Sequence, residues 1–223
     1  MRTPAGPVIV VIGDTVSSRD RKPGERATLQ HGLEGAMQHI NAQYKDAVLS
    51  RFLITVGDEF QGILRKPEVV PDIVQDLREE FPNTMFRIAV SKGRLSTPLK
   101  PVALGTDGPA WHAARALLED WLKAKRDGVG FVGFREDDSV LNAIAALMTY
   151  HWSHLERSQR EILTSLRHAT ESRKEVAEDI GISPQSLSNR AQSAGWREFS
   201  QGMSAWQTIL ARHAVKSPKP RGK

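Results

Sequence analysis

The feature that constrains the fold most is an unbroken run of five β-branched residues, Val8 to Ile12, which is followed by Gly13 and Asp14. A strand with one face in solvent would alternate apolar and polar side chains. A continuous apolar run instead indicates a strand that is buried on both faces. We therefore expect a central strand with Asp14 at its end.

The segments that follow alternate between helical and extended patterns. Apolar residues at helical spacing predict helices over 26–44, 69–80 and 110–125, and apolar runs predict strands over 52–56, 60–64, 86–90 and 129–134. Strands 52–56 and 60–64 form a hairpin. This order predicts an α+β, ferredoxin-like palm, with the first strand and the hairpin side by side at the centre of a sheet backed by helices.

Two acidic residues stand at the ends of these predicted strands. Asp14 closes the first strand, and Asp58 lies at the turn of the hairpin. If the two elements are neighbours, the carboxylates converge and provide the hard oxygen ligands that hold a divalent cation against phosphate. Without a cation, two close carboxylates repel each other. The alternative is that both residues belong to ordinary turns.

After Arg135 the pattern is helical only, beginning with a segment over 139–154. A short helix over 173–180, a turn at 181–183 and a helix over 184–193, with Ser183 as N-cap and Pro184 at the first position, predict a helix-turn-helix that binds DNA. The alternative is that this unit packs against a partner protein. The side chains expected to face base edges and phosphates are Gln185, Ser186, Ser188, Asn189 and Arg190.

Charge and composition divide the chain in the same way. Residues 151–223 contain 12 basic and 7 acidic residues, whereas the first 150 contain 19 of each. The expected domains are 1–135, 136–216 and a disordered basic tail over 217–223. Apolar residues between Trp196 and Ile209 predict a final helix that forms either core or a dimer interface.

The expected cellular compartment of the protein follows from residues and patterns that the sequence lacks. The chain contains no cysteine, which excludes disulfides and thiolate metal sites and favours a reducing compartment. Its apolar stretches are shorter than a membrane span needs, and its N-terminus has no signal pattern. We expect a cytoplasmic protein with no membrane partner.

Four segments, in order, resemble the class III nucleotidyl cyclase domain: VVIGDTVSSR, ITVGDEFQGIL, FRIAVSKGRL and GPAWHAARALLE. GDEFQG together with DGPAWHAAR is more closely similar to the SatD family, in which such a domain is joined to a helix-turn-helix. The segment WSHLERSQREIL and the unit after it resemble the LuxR-type and sigma-factor helix-turn-helix.

The cyclase resemblance implies roles for particular residues. Asp14 and Asp58 match the metal ligands for Mg²⁺ or Mn²⁺, and Arg115 matches the phosphate-binding arginine. Trp111 stands where cyclases have a transition-state Asn, and Ile54 stands where they have a purine-selecting Lys. An indole cannot replace an amide, nor an aliphatic side chain a cation. The resemblance thus implies nucleotide binding without cyclisation, with Trp111 either stacked on the base or part of the core.

Together these features predict a homodimeric, DNA-binding transcriptional regulator with a nucleotide-sensing, catalytically degenerate palm domain. Two alternatives remain. One is an active, metal-dependent nucleotidyl cyclase, and the other is a protein-interaction module with a dead site.

Overall fold

Strand β1 (Val8–Thr15) lies in the middle of a five-stranded sheet. The computed structural model describes residues 3–4, 6–16, 22–124, 126–170 and 172–215. β1 pairs antiparallel with β3 (Phe60–Leu64) and β4 (Phe86–Gly93), β2 (Val48–Ile54) pairs antiparallel with β3, and β4 pairs parallel with β5 (Gly128–Val132). The predicted mixed α+β fold, with the hairpin beside the first strand, is confirmed. The spatial order of the strands is β2-β3-β1-β4-β5.

The apolar run in β1 is buried as the sequence predicts, because residues 8–12 are each at most 2% exposed. Helix α3 (Pro109–Lys123) contributes Ala110, Ala114 and Leu118 to the same core as alternate residues of β1. These three residues recur every four positions and so share one helix face. Helices α1 (Pro23–Gln43) and α2 (Val70–Glu80) contribute buried apolar side chains of their own, including Leu33 of α1 and Ile73 of α2.

Contacts divide the chain into two units, Met1–Ala145 with Trp206–Lys223, and Ala146–Ala205. The first unit therefore includes residues that the sequence assigned to the C-terminal domain. Trp206 packs edge-to-face on Phe131 of β5, with ring centroids 5.7 Å apart. His213 lies on Phe134 and bonds Asp137, with 2.8 Å between Nε2 and Oδ2. These contacts hold Trp206 and His213 against β5 and the residues that follow it.

The second unit consists of helical segments. Its core contains Ile162, Leu166, Val176, Leu187 and Ala191. The chain turns through Gly181, whose φ of 73° favours glycine. None of the described helices is long and apolar enough to cross a membrane. The remaining helices of the chain are α4 (Asp138–His154), α5 (Arg157–His168), α6 (Arg173–Asp179), α7 (Pro184–Ser193) and α8 (Trp196–Ala211).

One detail of the helical region differs from the sequence prediction, and a second decides whether the apolar face of the last helix is core or a dimer interface. The pattern of apolar residues over 150–167 predicts one continuous helix. In the structure α4 ends at His154 and α5 begins at Arg157. At the start of α5 the Gln159 side chain accepts the backbone N–H of Glu156 at 2.9 Å. This cap favours a new helix start over continuation. The apolar face of α8 is core, because Phe199 and Trp206 are 2% and 1% exposed. The predicted tail over 217–223 lies outside the described residues.

Gly13 offers a direct test of the packing at the end of β1. A Cβ at this position would lie 2.3 Å from the Phe60 ring, which is fully buried. Gly13→Ala is therefore expected to lower the free energy of unfolding by about 1–3 kcal/mol, as overpacking does. Chemical denaturation measures the change.

The control is Gly35→Ala on α1, where a Cβ meets nothing within 4 Å. This change is expected to raise the free energy of unfolding by about 0.5–1 kcal/mol, because alanine favours a helix interior. Equal effects of the two substitutions would contradict the packing at Gly13.

Candidate functional site

The two acidic segments meet at one end of the sheet. β1 and β3 are antiparallel, with Gly13 opposite Phe60, so the end of β1 lies beside the turn that precedes β3. Asp58 Oδ2 accepts the backbone N–H of Thr15 at 2.9 Å and also the Thr15 hydroxyl. The turn carrying Asp58 is thus attached to the residue that follows Asp14.

Asp14 forms an ion pair with Arg87 of β4, its cross-strand neighbour. Arg87 donates from Nε to Oδ1 at 2.7 Å and from Nη2 to Oδ2 at 3.1 Å, which is a bidentate geometry. Burial raises the pKa of Asp14; the contact with Arg87 opposes this shift, and the charges of Asp58 and Glu59 reinforce it. The pKa of Asp14 is raised overall, because burial outweighs the contact with Arg87.

Glu59 is a member of the site that the sequence prediction missed. It is paired with Arg115 of α3, which donates from Nη2 to Oε1 at 2.8 Å and from Nη1 to Oε2. Burial opposes ionisation of Glu59, but the hydrogen bond and charge of Arg115 outweigh it, so its pKa is lowered. The hydrogen bond to Glu59 raises the pKa of Arg115. The sequence does show two consecutive acidic residues at the hairpin turn, Asp58 and Glu59, but the sequence prediction assigned a role only to Asp58.

The donor atoms of this site are of the kind that Mg²⁺ and Mn²⁺ prefer, since all are carboxylate oxygens. Three carboxylates face two guanidinium groups, which leaves an excess of one negative charge among these residues. The type of ligand suits a divalent cation, but both oxygens of Asp14 are bonded to Arg87, which a cation at Asp14 would have to displace.

Trp111 lies away from any open surface. Its side chain is 7% exposed and belongs to the apolar core beneath α3, with Ala110 and Ala114. Its Nε1 has no hydrogen-bond partner among the described residues. Stacking needs an exposed ring face, so the structure favours the core alternative. The neighbouring His112 is exposed and bonds Asp107 at 2.9 Å.

The predicted DNA-reading residues lie on α7. Leu187 and Ala191 point into the core, and the opposite side of the helix is open. Ser186 is half-buried, and its N–H is capped by Ser183 Oγ at 3.1 Å. Asn189 accepts from Gln185 Nε2 at 3.1 Å. The exposed members of the set are Gln185, Ser188, Asn189 and Arg190.

A groove of about 480 Å³ borders α7 within the same unit. Arg173 at the start of α6 and Arg197 at the start of α8 both line it, together with Ser188 and Gln192 of α7. The sequence prediction assigned no role to these two arginines, because they lie outside the predicted reading helix. Glu198 also lines the groove, so the two arginines and this glutamate together place a net charge of +1 beside α7.

The ion pair between Glu59 and Arg115 predicts a pH-dependent difference in stability. A carboxylate with a lowered pKa stabilises the fold above its ordinary pKa of about 4.5 and loses this contribution as pH falls through the lowered value. Glu59→Gln is therefore expected to lower the free energy of unfolding at pH 7 by about 1 kcal/mol or less, since both side chains are partly exposed. The difference from wild type should shrink below pH 4.5.

Urea denaturation at pH 7, 5 and 3 measures this difference. The matched control is Glu161→Gln, which removes the more exposed pair with Arg157 on α5. A Glu59→Gln variant whose deficit is the same at every pH would contradict the ion pair.

Solved nucleotidyl cyclases have a fold similar to part of this chain. A bacterial light-regulated adenylyl cyclase is 13% identical with a TM-score of 0.46, and the match covers 60% of this chain and 45% of that one. The chain thus spans less than half the length of that relative. A dimeric guanylyl cyclase domain of the RhoGC fusion protein from the aquatic fungus Blastocladiella emersonii is 13% identical with a TM-score of 0.43, covering 59% and 81%. The guanylate cyclase domain of RhGC from Catenaria anguillulae, in complex with GTP, is 14% identical with a TM-score of 0.42, covering 59% and 80%.

No curated protein matches the chain. The sequence profile of the SatD family, in contrast, matches residues 8–208, from the first residue of β1 into α8. A match of this extent includes the acidic turn, Arg115 and α7. The chain belongs to the SatD family.

Proposed function

We propose that this protein is a DNA-binding transcriptional regulator whose palm unit senses a nucleotide together with a divalent cation. The observation that carries the proposal is the assembly of Asp14, Asp58 and Arg115 around the hairpin turn, with Glu59 linking Arg115 to that turn. Carboxylates for a cation and a guanidinium for phosphate are the two components that a nucleoside triphosphate requires.

Within this proposal Asp14 and Asp58 hold the cation, which when bound neutralises phosphate charge. Arg115 binds the phosphate, for which it must exchange Glu59 for the ligand. Trp111 takes no part, because its ring is buried. Catalysis is absent, since Trp111 and Ile54 replace the amide and the cation that the cyclase resemblance calls for. The sensor therefore binds its nucleotide without converting it.

The DNA-binding part of the proposal rests on α6, the turn at Gly181 and α7 as a helix-turn-helix. Gln185, Ser188, Asn189 and Arg190 contact base edges and phosphates, and Ser186 supports the start of α7. Residues 151–211 contain 7 basic and 7 acidic residues, so a single unit offers little net attraction to DNA. Two copies in a homodimer supply the additional phosphate contacts.

The nucleotide site is tested by thermal unfolding with ATP or GTP, each with and without Mg²⁺. At a ligand concentration about 100 times Kd the expected stabilisation is roughly 2.7 kcal/mol, which is a rise in Tm of about 5–10 °C for a chain of this size. The rise should require the cation and should be lost in Asp58→Asn. Asp46→Asn, which changes an exposed aspartate in the turn after α1, should keep it.

The same samples separate the competing functions. A cyclic nucleotide product that depends on Mn²⁺ and disappears in Asp58→Ala would make the protein an active nucleotidyl cyclase. If no nucleotide raises Tm, the sensor proposal is wrong and the palm unit is an interaction module with a dead site.

DNA binding is tested by selecting sites from a random duplex pool and titrating the selected duplex. Arg190→Ala and Asn189→Ala are expected to weaken specific binding by roughly 1–3 kcal/mol each, which is about 5- to 150-fold. Affinity should also fall with rising salt. Arg157→Ala, on the exposed surface of α5, serves as the control. Failure to select any duplex would contradict the DNA-binding role.

A further inference from the structure

Helix α4 has a second apolar face that no described part of the chain covers. One face is core, formed by Leu141, Ala145, Met148 and Trp152. The other face carries three large apolar side chains in solvent: Val140 is 45% exposed, Leu147 69% and Tyr150 64%. No Asp, Glu, Lys or Arg occurs between residues 139 and 154. A solvated helix face ordinarily carries charge, so this one is suited to being covered.

The spacing on this face is that of paired helices. We name Val140, Ala143, Leu147 and Tyr150 the α4 stripe. Its residues are separated by three, four and three positions, which is the alternation of core positions in a helix pair with a 3.5-residue repeat. Ala146, beside the stripe, is also exposed and small, so a second helix can approach closely.

The other large, exposed apolar side chains among the described residues do not form such a surface. Val56 lies in the hairpin turn, Met85 precedes β4, Leu104 lies between β4 and α3, and Ile180 follows α6. Single exposed apolar residues of this kind are normal for a soluble protein. The α4 stripe differs because three such side chains share one helix face.

We propose that the α4 stripe is a homodimer interface, in which α4 of one copy packs antiparallel against α4 of a second copy. A helix can form a closed two-fold pair only if its surface is complementary to itself. Placing Ala143 opposite Leu147 and Val140 opposite Tyr150 puts a small side chain against a large one in every layer. The stripe is complementary to itself in this register.

Charge at the ends of α4 selects the antiparallel direction. The N-terminal end carries the exposed carboxylate of Glu136, whereas Asp137 is already paired with His213, and the C-terminal end carries the exposed His154, whose imidazole can hydrogen-bond a carboxylate. The antiparallel register brings Glu136 of one copy opposite His154 of the other and sets the two helix dipoles in opposite directions. A parallel pair would place the acidic ends side by side, where like charges repel.

Cysteine cross-linking tests the direction and the register together, and the chain has no native cysteine to interfere. In the proposed register Val140 of one copy faces Tyr150 of the other, whereas the two copies of Val140 are ten residues apart, or about 15 Å. A disulfide needs Cα atoms within about 7 Å. Val140→Cys and Tyr150→Cys should each stay unlinked alone, and the two variants expressed together should form a disulfide-linked dimer with one copy of each. Asn83→Cys, exposed in the turn before β4, is the control and should link with neither.

The oligomeric state supplies a second measurement. The solution mass of the full chain should be twice 24.8 kDa, and Leu147→Glu should reduce it to that of a single chain by placing charge in the stripe. Val56→Glu, at an apolar residue that is 80% exposed against 69% for Leu147, should leave the dimer intact. Melting curves check that both variants fold.

Each outcome decides the proposal, independently of any nucleotide or DNA. Self-linking of Val140→Cys would show a parallel pair and overturn the antiparallel arrangement. A wild-type monomer, or a dimer that Leu147→Glu leaves unchanged, would overturn the interface itself.

Discussion

The antiparallel pairing of β1 with both β3 and β4 is the constraint on which the site depends. It places Gly13 opposite Phe60 and Asp14 opposite Arg87. These two pairings set the position of the acidic turn, because the turn before β3 then lies next to the end of β1. The backbone N–H of Thr15 can therefore donate to Asp58. The absence of a side chain at Gly13 is part of this constraint, since the Phe60 ring occupies the space where a Cβ would stand.

The charges at this end of the sheet are compensated within the chain before any ligand arrives. Arg87 is paired with Asp14, and Arg115 is paired with Glu59. Both pairs combine a carboxylate suited to a cation with a guanidinium suited to a phosphate. A ligand that brings both charges, such as a nucleotide with its cation, can replace both internal partners at once. A ligand that brings only one leaves a half-buried charge without its partner, which is costly. Within the proposed function, the internal pairing therefore favours binding of the cation and the nucleotide together over binding of either alone.

The sequence was sufficient to predict the structure of segments whose own local pattern determines it. The burial of 8–12 and the helix at 184–193 were predicted from local periodicity and capping residues. Arg87 and Glu59 escaped prediction because their partners are set by strand register and by the position of α3, which no local pattern encodes. The same holds for Trp111, whose burial depends on how α3 lies against the sheet, and for 206–215, whose aromatic contacts with Phe131 and Phe134 join distant parts of the chain.

The chain leaves the first unit within α4 and returns to it within α8. The two units are thus joined through α4 and α8. The proposed dimer contact lies on one of these helices. Within the proposed function, a nucleotide changes DNA affinity only by favouring one of two states of the dimer, and we expect α4, which carries the proposed dimer contact, to be the element involved. Such coupling is reciprocal, so bound DNA would change the affinity for nucleotide by the same factor.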